Sequence, residues 1–144
     1  MQHALTIRIV ALTVIILSVG VGATSYLGAN GRAQDAAAQM HVRAAVHATM
    51  AWYQDPYGGH GSYGRLDPAG LVQEAPVVSS KVRVTVLAGG RAYCLADVEA
   101  VGHSAYYLGG ATHALTDLAG AVPDHVTLVH STGADAASVC AAVR

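Results

Sequence analysis

Phenylalanine is absent from the 144 residues, tryptophan occurs once, and charged side chains make up only 12% of the chain. Lys and Arg number 8 against 9 Asp and Glu, so the formal net charge is −1. With no surplus of positive charge there is no footprint for a phosphate backbone, which argues against a dedicated nucleic-acid binder. Cysteine is scarce as well. Cys94 and Cys140 are the only two, too far apart for a C-x-x-C metal or redox motif, and no C-x-x-C-H haem site exists. The eight histidines, His3, His41, His47, His60, His103, His113, His125 and His130, include no pair at i, i+4 and no H-E-x-x-H, so they read as scattered surface side chains. No glycine-rich phosphate loop carries a lysine, and no paired carboxylates stand at a helical interval. Ser62 in HGSYG misses a nucleophile elbow, because His60 occupies a position that needs glycine and no strand precedes it. The residues point to no catalytic site, no metal and no cofactor, and the expectation is a protein that is not an enzyme.

What the chain does have is one long apolar run. From Ile9 to Gly31 no charged residue occurs in 23 positions. As a helix this run spans about 34 Å against a hydrocarbon core of about 30 Å, so one membrane crossing fits. Residues 1–31 are therefore read as an anchor in which Arg8, Ile9, Val10, Leu12, Val14, Ile15, Ile16 and Leu17 contact lipid or neighbouring helices, and residues 32–144 as a separate folded domain. Two alternatives stand beside this reading. A buried core helix is one, although 113 remaining residues are few to wrap it. A cleaved signal peptide is the other, with small residues at Val21, Gly22 and Ala23. The flanking charge, Arg8 before the run and Arg32 and Arg43 after it, slightly favours a cytoplasmic domain. The cysteines argue for the other side. Both lie beyond the apolar run, and a single long-range disulfide between them is the natural reading in an oxidising compartment. Closing a loop of that length contributes about 4 kcal/mol in the chain-entropy model. Two unpaired core thiols are the alternative for a cytoplasmic domain.

After Gly31, RAQDAAAQMHVRAAVHATMAWY contains no Gly or Pro and is composed of helix formers. Ala36, Ala37, Met40, Ala44, Val46, Met50 and Tyr53 recur at three- and four-residue spacing, which predicts an apolar face there and leaves Gln34, Asp35, Gln39 and Arg43 to solvent. Asp55-Pro56 and the glycines at 58, 59 and 61 end the helix. The weak helix formers Gly28, Asn30 and Gly31 predict a kink or a short unwound stretch between this helix and the apolar run. A loop follows from Tyr57 to Pro76, with a short helical turn at Asp67-Pro68-Ala69-Gly70-Leu71.

The periodicity then changes. In KVRVTVL, Val82, Val84 and Val86 alternate with Lys81, Arg83 and Thr85, the two-residue period of a strand with one dry and one wet face. Ala88 to Arg91 turns the chain, and Ala92 to Val98 returns as the second arm of a hairpin. Ser104 to Leu108 forms a third strand ended by Gly109-Gly110, His125 to His130 a fourth, and Asp135 to Val143 a short terminal helix. The order is α+β: a long N-terminal helix packed on a small antiparallel sheet of about four strands. The tyrosines Tyr53, Tyr57, Tyr63, Tyr93, Tyr106 and Tyr107 are either a binding surface or, in a chain without Phe, core and loop anchors.

Several segments in this order resemble the type IV pilins and the related pseudopilins of type II secretion. They are the apolar helix ALTIRIVALTVIIL, its Ala-rich continuation RAQDAAAQMHVRAAVHATMAWYQD, the loop GGHGSYGRL, the strand-borne YCLAD and the following AVGHSAYYLGG. The resemblance implies a structural or accessory subunit of a pilus or pilus-like secretion assembly, and it would make Cys94 and Cys140 the disulfide that pins the C-terminal region. It implies membrane lipid and other pilin-like subunits as partners, and a single-pass membrane or surface location with the C-terminal domain extracytoplasmic. The leader glycine and the early glutamate of the family's cleavage motif have no counterpart in LTIRIV, where Arg8 stands about where the glutamate would be. That favours an anchored or accessory component, and the second functional expectation is a membrane-anchored extracytoplasmic binding domain that does not assemble.

Overall fold

The computed structural model describes residues 2–76, 80–99, 102–110, 125–130 and 135–143, without the side chains of residues 2–27 and Val72. The chain divides into two compact units, residues 1–33 and 34–144. Helix α1 runs from Gln2 to Gln54. It is unbroken across Gly28 to Gly31, so the unwound stretch expected there is absent; glycine and asparagine lower helix propensity by about 1 kcal/mol or less each, whereas only proline bars the geometry. Among the described residues no helix is long and apolar enough to cross a membrane. The side chains of the proposed anchor, Arg8 to Leu17, lie outside those described.

In the second unit, the helix ends where the sequence requires. Its last carbonyls are taken by the returning loop: the Gly59 N–H donates to the Trp52 carbonyl at 2.9 Å and the Gly61 N–H to the Tyr53 carbonyl at 3.0 Å, which satisfies acceptors that a helix end otherwise leaves open. A Cβ on Gly59 would stand 2.7 Å from the Trp52 carbonyl oxygen, so this closure needs glycine. Helix α2 (Pro68–Glu74) follows, with the Asp67 side chain capping the Gly70 N–H and proline in its first turn, both standard start signals.

Four strands, β1 (Val82–Leu87), β2 (Ala92–Asp97), β3 (Ser104–Gly110) and β4 (Val126–Val129), form one sheet in the order β1-β2-β3-β4. Every neighbouring pair is antiparallel. A 3-10 turn at Ala88–Gly90, with positive φ at Ala88, Gly89 and Gly90, joins β1 to β2. Gly109 and Gly110 do not end β3 as expected: they pair with Tyr93 and Ala92. Glycine stays in the strand because a Cβ at 109 would lie 2.5 Å from the Tyr93 ring. The missing side chain is the space into which the tyrosine packs.

One face of the sheet receives α1. Ala38, Val42, Ala45, Val46 and Ala48 share a buried cluster with Val82, Tyr93, Leu95, Ala105 and Tyr107, and Val84, Val86, Val126 and Leu128 pack against it. The Val82, Val84, Val86 face of β1 is therefore the dry one, as its alternation predicts. The helix face matches the expected one at Ala44 and Val46 and differs elsewhere. Ala36 is exposed, Met40 and Met50 are 68% and 48% exposed, and Thr49 is buried with its hydroxyl donating to the Ala45 carbonyl. In a helix this rich in alanine, small residues occur on every side, so apolar spacing does not fix the phase. The sheet contact selects small and β-branched residues that permit close approach and leaves the long methionines outside.

The opposite face is wet only toward the edge strand β1, where Arg83 is exposed. Helix α3 (Ala136–Ala142) covers it, with Ala136, Ala137 and Cys140 against Leu87, Ala92, Cys94, Ala96 and Leu108. All six residues of β2 are buried, which the alternation of the edge strand β1 could not announce. Cys94 and Cys140 are joined by a disulfide, their Cα atoms 5.6 Å apart. Asp135 caps α3 through the Ser138 N–H at 2.7 Å, and the Ala136 N–H donates to the buried Ser104 hydroxyl at 2.9 Å.

Candidate functional site

The strand order brings the end of β2, the start of β3 and the end of β4 to one end of the sheet, and there two histidine-carboxylate clusters join α1 to it. In the first, His41 Nδ1 of α1 lies 2.8 Å from Asp97 Oδ2. Asp97, the last residue of β2, is 1% exposed, and an unpaired carboxylate so buried would cost several kcal/mol. Its other oxygen accepts the Glu99 N–H at 3.2 Å. Glu99 in turn lies 3.5 Å from His41 Nδ1 and receives Lys81 Nζ at 2.8 and 3.0 Å. The hydrogen bond from Lys81 holds the Glu99 carboxyl below its ordinary pKa.

In the second cluster, Asp35 Oδ1 of α1 faces two imidazoles. His103, just before β3, places Nδ1 at 2.8 Å, and His130, just after β4, places Nδ1 at 3.7 Å. The two rings stand edge to face with centroids 5.9 Å apart. Asp35 is 19% exposed, His103 33% and His130 55%, so the group opens to solvent on the His130 side. Among the described residues, His41, His103 and His130 are thus engaged with carboxylates, and Asp35 is turned to the sheet, whereas the sequence suggested free surface side chains. The hydrogen-bonded partners are 56 and 68 residues apart, beyond the reach of any local spacing rule. The one available signal is Asp97, a charge that closes the apolar run Tyr93 to Ala96.

The chain matches no known protein family, no curated protein and no solved structure.

At the other end of the sheet the tyrosines stack. Tyr53 and Tyr63 have centroids 4.8 Å apart, Tyr63 and Tyr93 4.6 Å, and Tyr93 and Tyr107 6.1 Å. Tyr93 and Tyr107 are buried in the core and Tyr53 at the outer end is 38% exposed, while Tyr57, 95% exposed, stands outside these ring contacts. The Tyr63 N–H donates to the Gly90 carbonyl at 2.9 Å, tying the loop to the β1–β2 turn. A cleft of about 360 Å³ lies beside them, lined by Tyr53, Ser62, Tyr63, Gly90 and Arg91. Ser62 Oγ accepts the Gly64 N–H at 3.0 Å, a turn-forming bond. Of the residues singled out from the sequence, Cys94 and Cys140 are brought together; Arg8, Ile9, Val10, Leu12, Val14, Ile15, Ile16 and Leu17 belong to α1, and no side-chain environment is described for them.

Proposed function

We propose that this protein is a structural or accessory subunit of a type IV pilus or pilus-like secretion assembly, held in the membrane by the apolar first part of α1. The observation that carries the reading is that one helix serves two regions. Its later turns, from Ala38 to Thr49, pack on a four-stranded antiparallel sheet, while the run from Ile9 to Gly31 in the same helix carries no charge. A helix of that kind stores a subunit in lipid and offers the same apolar surface to neighbouring helices. The disulfide from Cys94 to Cys140 suits a domain facing an oxidising compartment. Arg8 suits an anchored or accessory component, because a long cationic side chain at the membrane boundary reaches the headgroups at little cost.

Fractionation with intact-mass measurement tests this. The proposal expects the protein in sheared surface material or co-isolating with other pilin-like subunits from the membrane, and its mass reports whether the first residues are kept. Recovery only as a lone, detergent-extracted membrane protein would favour the non-assembling binding domain instead.

A further inference from the structure

We propose that Asp35, His103 and His130 bind a divalent transition-metal ion, with zinc as the best fit, and that the ion joins α1 to the ends of β3 and β4. The three residues come from three separate elements, yet their donor atoms lie within 4.8 Å of one another. Tetrahedral zinc with ligands at about 2.0–2.2 Å separates neighbouring donors by about 3.3–3.5 Å. The two distances to Asp35 Oδ1, 2.8 and 3.7 Å, bracket that value, so small side-chain rotations seat an ion. Both imidazoles present the same nitrogen, Nδ1, to the one carboxylate oxygen. Neutral imidazole nitrogens with one carboxylate are a donor set suited to zinc and other late first-row metals, whereas calcium and magnesium prefer oxygen alone.

The electrostatics distinguish this cluster from its neighbour. Around His41 and Asp97, the third member Glu99 is already paired with the Lys81 cation. Among the described residues no Lys or Arg pairs with Asp35. The exposure of His130 gives an entry path and leaves room for water in the fourth position. A metal here acts on the α1 face of the sheet as the disulfide acts on the α3 face, by linking elements distant in sequence.

Full-length chain, purified in detergent and stripped with chelator, is titrated with Zn²⁺ by calorimetry and against a chromophoric chelator. The expected result is one ion per chain with a dissociation constant on the order of micromolar or tighter, together with a zinc-dependent rise in melting temperature. His130→Gln, at the most exposed of the three ligands, is expected to weaken binding at least about tenfold while the metal-free melting temperature stays unchanged. His47→Gln, a control at an exposed histidine outside the cluster, is expected to bind as the parent does. Co²⁺ in place of Zn²⁺ should give visible ligand-field bands that His130→Gln loses. Equal Zn²⁺ affinity in parent and His130→Gln would overturn the proposal, and so would loss of binding in His41→Gln with retention in His130→Gln.

Discussion

The two faces of the sheet are covered by very different helices. On one side the later turns of α1 lay Ala38, Val42, Ala45, Val46 and Ala48 on Tyr93, Leu95, Ala105 and Tyr107. On the other, the seven residues of α3 lay Ala136, Ala137 and Cys140 on Ala92, Cys94, Ala96 and Leu108. A helix of seven residues has too few hydrogen bonds to persist alone, and alanine side chains bury little area. The α3 face is accordingly tied by a covalent bond, an Asp135 cap and the Ser104 hydroxyl. The α1 face has the larger side chains and needs no covalent link. β2 shows both solutions in its six residues: Tyr93 and Leu95 face α1, while Ala92, Cys94 and Ala96 face α3.

The largest effect expected from breaking this comparison is at Val42, which is fully buried. Val42→Asp places an unpaired charge between helix and sheet at a cost of several kcal/mol, comparable to the whole stability of a small domain. Near-UV circular dichroism of the variant should show lost tertiary structure. Replacing both cysteines, Cys94→Ala with Cys140→Ala, should lower stability by about 4 kcal/mol in denaturant titration. Hydrogen exchange should show the amides of α3 losing protection before those of α1 between Val42 and Thr49. A simultaneous loss would mean that the faces are not independent.

Gly109→Ala should cost about 1–3 kcal/mol through overpacking, since the new methyl group meets the Tyr93 ring. A thermal melt reads it. His41→Ala removes one partner of the buried Asp97 carboxylate, whose other oxygen keeps the Glu99 N–H, and should cost about 1–3 kcal/mol, again read by melting. The smallest effect is at the exposed pair Lys81 and Glu99. Because the folded pKa of Glu99 is lowered, its contribution is present above the ordinary carboxylate range and is lost as pH falls through the folded value. Lys81→Met should shift the Glu99 titration upward by carboxyl NMR, with little change in melting temperature.

Much of this comparison was legible in the sequence. Val82, Val84 and Val86 announced the dry face of β1, Asp67-Pro68 and Asp135 marked helix starts, and the two lone cysteines suggested their own bond. The phase of α1 was not legible, because alanine is compatible with either side of a helix and its contacts depend on what the sheet presents. The covered second face was hidden for a related reason: β1 is an edge strand with Arg83 exposed, and its alternation says nothing of β2. The histidine-carboxylate clusters are products of topology alone. Asp35 meets His103 and His130 only because β3 begins and β4 ends at the same end of the sheet.

The proposal that α1, besides packing on the sheet, joins subunits is tested most directly by covalent trapping. The Ile16→Cys variant, with its new thiol in the apolar run, is treated with a thiol cross-linker in native membranes and in sheared surface material, the native disulfide being left oxidised. A ladder of covalent multimers, or one adduct with a second kind of subunit, is expected, both absent from the parent chain. An Ile16→Cys variant that remains monomeric in both fractions, while still membrane-bound and folded, would contradict it.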